Sequence, residues 1–225
     1  MSELNTVVIV GSSLAGLRAA ETLRLEKYEG RIIIVGAEDR QPYDRPPLSK
    51  KVLSGEWEAD RISLRKPDDL AKLNIDWKLG SAATALDTTN HTITLASGET
   101  IAFDGLIIAT GSGVRKLPNQ PDWNGVHVVR TLDDSLALRA NLNPGARVVV
   151  IGAGFIGLEV AATAKVRGCE VTVLEGAPAP MMRGLGADMG HAAALVHADN
   201  GVTMRFNVKV AGLIEGNSGS VGGVA

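Results

Sequence analysis

One pattern that occurs twice constrains this chain more than any other feature. Val7–Val10 is a short β-branched run, followed at once by Gly11-Ser12-Ser13-Leu14-Ala15-Gly16, a helical stretch Leu17–Lys27, a second apolar run Ile32–Val35 and an acid, Glu38. The order returns as Val148–Ile151, Gly152-Ala153-Gly154-Phe155-Ile156-Gly157, Leu158–Arg167, Val171–Leu174 and Glu175. Strand, glycine turn, helix, strand and terminal acid form the βαβ unit that holds a dinucleotide. Its first glycine permits the tight turn, its last lets helix and strand approach closely, and the helix N-terminus offers free N–H groups to a pyrophosphate. Each acid lies roughly 20 residues past its glycine turn, where it accepts hydrogen bonds from ribose hydroxyls. The expected fold is therefore α/β, with two Rossmann-like dinucleotide-binding domains.

The copies differ in detail. The middle glycine of the first is Ser13, the smallest polar substitute and a donor to phosphate, whereas the second is an intact G-x-G-x-x-G. Glu175 accepts from the 2′-OH of NAD and repels a 2′-phosphate, so NADH is favoured over NADPH. Arg183, shortly after it, is the one residue placed to offset that preference. Asn143-Pro144-Gly145 precedes the second copy, and the expected division is residues 1–115 and 116–225.

Between the copies the residues predict further elements. Pro46 pushes Arg45 into an extended conformation, and Pro47 suits the first turn of a helix running to about Leu53. Pro67–Leu73 reads as a short helix with Asp68 and Asp69 at its positive end. Ala82–Asp87, Thr92–Leu95 and Glu99–Phe103, separated by turn residues, read as an antiparallel meander. Asp104–Ala109 is a buried strand ending in small residues, Val126–Val129 a short strand, and Thr131 or Asp133 caps a helix over Asp134–Leu142. Gly184–Asn200 reads as a helix, Val202–Val210 as a strand, and Glu215–Ala225 as a tail with no further element.

Composition removes several function classes. Lys and Arg number 23 against 25 Asp and Glu, and no basic run marks a nucleic-acid footprint. Every apolar run is far shorter than the ~20 residues of a membrane helix. Met1–Thr6 has no signal-peptide character, so a cytoplasmic protein with no membrane partner is expected. Cys169 is the single cysteine, so no internal disulfide or redox dithiol can form, and it reads as a small buried residue. His191 and His197 have no acid or cysteine at ligand spacing and read as surface or packing residues, leaving no expected metal site.

The octapeptide Tyr43-Asp44-Arg45-Pro46-Pro47-Leu48-Ser49-Lys50, following a dinucleotide unit, resembles the FAD-dependent NADH:ferredoxin reductases of bacterial oxygenase and cytochrome P450 systems. The resemblance implies FAD on the first copy, NADH on the second, and a [2Fe–2S] ferredoxin as one-electron acceptor. It implies FAD contacts from Gly11, Ser13, Ala15, Gly16, Glu38, Arg45, Pro46, Lys50, Ala83, Ala109, Thr110, Gly111 and Arg130. It places Gly152, Gly154, Phe155, Ile156, Gly157, Glu159, Glu175 and Arg183 on NADH. For Arg130 the alternative is a helix-end arginine in a surface ion pair.

Lys50 and Glu159 are the candidate catalytic pair. By resemblance Lys50 sets a positive charge beside the flavin, and Glu159 stands where nicotinamide meets it and pairs with Lys50; from its position alone Glu159 is equally a helix-dipole partner. Disulfide, peroxide and coenzyme A disulfide reductases of this fold need cysteines near the flavin that this sequence lacks. The family also carries a returning half of the NADH domain, a Gly-Asp flavin segment and a C-terminal domain that do not follow here. The alternative expectation is thus a non-catalytic nucleotide-binding fragment. A scaffold flavoprotein like the apoptosis factors is a weaker third.

Overall fold

The structure is a computed structural model in which residues 4–225 are described. In chain order its elements begin β1 (Thr6–Val10), α1 (Leu14–Leu25), β2 (Arg31–Val35), α2 (Lys51–Ser54), α3 (Pro67–Ala71), β3 (Ile75–Lys78), β4 (Ala83–Asp87), β5 (Thr92–Leu95), β6 (Thr100–Ala102) and β7 (Gly105–Ile108). They continue with α4 (Leu132–Asn141), β8 (Arg147–Ile151), α5 (Phe155–Val166), β9 (Glu170–Leu174), α6 (Met182–Asp199), β10 (Thr203–Arg205), β11 (Leu213–Glu215) and β12 (Val221–Val224). The chain divides into two compact units: residues up to Asp44 with Asp60–Ser112, and Arg45–Ala59 with Gly113–Ala225. Residues 45–59 thus group with the second copy of the βαβ pattern although they follow the first.

In the first unit a parallel sheet runs in the order β3-β2-β1-β7. β1 pairs with β2 on one edge and with β7 on the other, and both faces of this central strand are covered, so its core residues are apolar on both. Val7, Ile9, Ile32 and Ile34 pack with Ala20 of α1 on one face. On the other, Val8, Ile33 and Val35 pack against Ile93, Leu95 and Ile101 of the β4-β5-β6 meander. Each such buried branched residue contributes about 1.5–3 kcal/mol by leaving water.

In the second unit β10-β9-β8 form a parallel sheet. Val150, Val171 and Val173 share a core with Leu158, Ala161 and Ala164 of α5, Leu138 and Leu142 near α4, and Leu53 of α2. Thr131 caps α4 in a reciprocal box with Asp134, two otherwise orphaned N–H groups being satisfied at once.

Several sequence expectations are corrected. The single helix from Pro47 is instead a 3₁₀ turn, Pro46–Ser49, and the separate α2, parted at Lys50 (φ −125°, ψ −103°). Arg45, expected extended before Pro46, is right-handed helical (φ −85°, ψ −33°) as the residue that opens the 3₁₀ turn. Val126–Val129 forms no strand: Val126 N–H closes a turn on the Trp123 carbonyl, and the stretch has no ladder partner among the described residues. The strand expected over Val202–Val210 stops at Arg205, because Asn207 adopts a left-handed conformation (φ 56°) that turns the chain back onto Glu175 and Ala177. The Glu215–Ala225 tail does carry an element, pairing as the antiparallel β11-β12 hairpin. Gly216 and Gly222 lie backbone to backbone there, so the composition that read as a loop is what this close pairing requires. β3 was not anticipated.

Candidate nucleotide sites

In the first unit the sheet brings together residues far apart in sequence. Gly11 turns out of β1 at φ 125°, and a Cβ there would sit 2.1 Å from the Ala109 carbonyl oxygen. Ala109 extends the β7 ladder by donating to the Val10 carbonyl at 2.8 Å, so Ala109, Thr110 and Gly111 leave the sheet beside the glycine turn. A Cβ on Gly16 would lie 1.9 Å from the Gly11 carbonyl oxygen, the close helix–strand approach that demands glycine. Ser13 is the N-cap of α1, and its side chain makes no capping bond to the helix. Glu38 accepts from the Tyr43 hydroxyl. Ser81 donates to the Gly36 carbonyl, which sets the start of β4, with Ala83, at the same end of the sheet.

The first turn of α1 holds no acid, and neither does that of α5. In both copies the positive dipole end of the helix has no acid beside it in the first turn, which suits an anion.

In the second unit a Cβ on Gly157 would lie 2.1 Å from the Gly152 carbonyl oxygen, repeating the Gly16 contact. Gly152 and Gly154 face open space within 4 Å, which suits close backbone approach by a pyrophosphate. Glu175 is held by the turn itself: Ala153 N–H donates to one carboxylate oxygen at 2.7 Å and Ala177 N–H to the other at 2.8 Å. An ionised carboxylate offers about four acceptor positions, so the remaining lone pairs can still receive ribose hydroxyls. Met181 N–H donates to the Ala153 carbonyl, and Gly184 lies against the Phe155 ring. Arg183, exposed in the first turn of α6, is therefore carried next to the same turn. A cleft of about 440 Å³ opens there, bounded by Ile151, Gly152, Leu174, Gly176 and the 207–210 segment. Phe155 and Ile156 are exposed.

Residues 45–54 are gripped by this unit. Arg45 donates to the Arg130 carbonyl (2.6 Å), Ser135 to the Leu48 carbonyl (2.6 Å), Thr163 to the Ser49 carbonyl (2.9 Å) and Arg167 to the Ser54 carbonyl (2.7 Å). Lys50 Nζ lies 2.6 Å from Glu159 Oε2, and the Ser49 hydroxyl donates to the same oxygen at 2.6 Å. Sequence reasoning had Lys50 and Glu159 but not Ser49 or Thr163. The signal was present, since Thr163 stands four residues after Glu159 on the same helix face. Arg130 contributes its backbone, its N–H donating to Asp134.

Cys169 is buried, its thiol donating to the Asn143 carbonyl, and burial pushes its pKa up; a thiol so placed is inert. Burial likewise pushes the pKa of His127 and of His197 down. Among the described residues no helix is long and apolar enough to cross a membrane.

Comparison with known proteins gives these geometries a family. The chain is 40% identical over 210 residues to the ferredoxin–NAD(+) reductase subunit of the benzene 1,2-dioxygenase system of Pseudomonas putida, covering 92% of this chain and 51% of that protein. It is 38% identical over 207 residues to rhodocoxin reductase of Rhodococcus erythropolis, covering 91% and 48%. Its structure superposes on putidaredoxin reductase in the covalent putidaredoxin reductase–putidaredoxin complex with a TM-score of 0.93 and 36% identity, over 98% of this chain and 54% of that one. The chain spans about half the length of the curated relatives it matches. The family model for pyridine nucleotide-disulphide oxidoreductases matches residues 5–224. The chain belongs to the pyridine nucleotide-disulphide oxidoreductase family.

Proposed function

We propose that this chain carries the nucleotide sites of a flavoprotein that passes electrons from NADH through FAD to a one-electron iron–sulfur acceptor, a [2Fe–2S] ferredoxin serving an oxygenase or cytochrome P450. The observation that carries the reading is the pairing of two βαβ glycine turns in one chain, each on a helix start free of acids. The relatives named as ferredoxin–NAD(+) reductases support the same assignment. FAD supplies acceptance of an electron pair and its release one electron at a time. We assign residues 1–115 to FAD and 116–225 to NADH, with Arg45–Ala59 lent to the second unit, and place the protein in the cytoplasm, where NADH is the reductant.

The residues divide the work by their chemistry. Gly11, Ser13, Ala15 and Gly16 present α1 to the FAD pyrophosphate, and Glu38 takes its ribose. Ala83, Ala109, Thr110, Gly111, Arg45, Pro46 and Arg130 form the remaining FAD contacts. Gly152, Gly154, Phe155, Ile156 and Gly157 present α5 to the NADH pyrophosphate. Glu175 selects the unphosphorylated ribose, and Arg183 lies on the ribose or pyrophosphate. Lys50 supplies the cation that favours the anionic reduced flavin. Glu159 holds Lys50 and meets the nicotinamide.

The test is anaerobic addition of NADH to the FAD-loaded protein followed by oxidised [2Fe–2S] ferredoxin. Bleaching of the flavin followed by reduction of the ferredoxin is expected; a flavin that stays oxidised overturns the assignment. A second reading, a nucleotide-binding portion that holds cofactor without transferring electrons, is favoured by the half-length match to the relatives. Bound flavin that never bleaches would select it.

A further inference from the structure

Glu159 carries two donors on one oxygen. Oε2 accepts from Lys50 Nζ and from the Ser49 hydroxyl, each at 2.6 Å. The two donors are unequal in freedom. Lys50 is half exposed, its ammonium also reaching the Pro46 carbonyl at 3.1 Å, so it is a mobile point charge on a long stem. Ser49 is 4% exposed, and its backbone is fixed from outside. The Thr163 hydroxyl holds its carbonyl at 2.9 Å, and the fully buried Ser135 holds the preceding carbonyl of Leu48 at 2.6 Å. Glu159 and Thr163, one turn apart on α5, therefore grip the same residue, one by its hydroxyl and one by its carbonyl.

A serine hydroxyl has one proton to give. Here it goes to the carboxylate, since the alternative acceptor, the Pro46 carbonyl, is 3.5 Å away. A short hydrogen bond from a rigid neutral donor sets direction better than an ion pair with a flexible lysine.

We propose that Ser49 is a positioning residue for Glu159: its buried hydroxyl, clamped through Thr163 and Ser135, fixes one carboxylate oxygen and so orients the other. The role rests on the reading above, in which Glu159 meets the nicotinamide. Lys50 then supplies charge and Ser49 supplies geometry, and removal of either should leave the other's contribution measurable.

The experiment has two arms. In the FAD-loaded protein, Ser49→Ala is expected to slow flavin reduction by NADH about tenfold, with the half-saturating NADH concentration changed less than about twofold. In a Glu159→Ala background the same substitution is expected to cost less than about twofold more. An equal loss in both backgrounds, or none in either, overturns the proposal. The second arm needs no cofactor. With ¹³C-labelled glutamate, the Glu159 carboxylate resonance, identified by its loss in Glu159→Ala, is expected to move in Ser49→Ala; an unmoved resonance overturns the proposal. A moved resonance in a protein whose flavin NADH never reduces supports the positioning contact and sinks the functional reading instead.

Discussion

The two copies of the βαβ pattern are alike in sequence and unequal in surroundings. In the first, β1 is enclosed by β2 and β7, and Val8 and Ile9 are both 0% exposed. In the second, β8 pairs among the described residues only with β9, and Val149 and Ile151 are 44% and 38% exposed. The glycine turns register the same difference: a Cβ on Gly11 would strike the Ala109 carbonyl that follows β7, while one on Gly152 would meet nothing within 4 Å. Gly16 and Gly157, whose contact is internal to each copy, are equivalent. The motif therefore fixes the turn and the helix approach, and the flanking strand decides how much of the turn is protein and how much is open to a ligand.

The largest expected effects come from the shared contact. Gly16→Ala and Gly157→Ala each drive a Cβ into backbone carbonyl oxygen and should destabilise their unit by about 3 kcal/mol or more, read by urea unfolding. Unequal losses would show that the copies differ inside the motif as well as around it. Next comes the contrast proper. Gly11→Ala adds an Ala109 clash to its backbone strain and should approach the same cost, whereas Gly152→Ala carries strain alone, about 1–2 kcal/mol. Equal values for these two substitutions would break the comparison.

Amide exchange sharpens it without substitution. The amides of β1 should be protected well beyond those of β8, because an edge strand opens without breaking a second ladder. The smallest effect is pH-dependent. His127 and His197 in the second unit have folded-state pKa values lowered by burial. Below the ordinary histidine value the unfolded chain binds more protons, so stability should fall as pH drops from about 6.5. Tyr28 in the first unit is shifted up by burial, so that unit should weaken as pH rises through about 10. Melting curves resolved by unit, with His127→Ala flattening the acid limb, check both signs.

The strands, helices and glycine turns of both copies were legible because hydrophobic period and glycine position are local signals. What escaped depends on partners distant in sequence. β3, Ile75–Lys78, is short and carries two charges, so only its pairing with β2 makes it a strand. Val126–Val129 had the residues of a strand and no ladder partner among the described residues. The β11-β12 hairpin hid in glycines that read as a loop. At the site, Lys50 and Glu159 stood out as charges, while Ser49 was invisible because its role comes from burial and from Thr163, more than 100 residues later in the chain. The grouping of residues 45–59 with the second unit was likewise set by four side-chain bonds to distant carbonyls or segments.

The most direct test of the paired nucleotide sites is the visible spectrum of the purified protein supplied with FAD, recorded before and after anaerobic NADH. Flavin bands that bleach with stoichiometric NADH are the expected result. A protein that takes up no flavin, or holds flavin that NADH leaves oxidised, would contradict the two-cofactor reading.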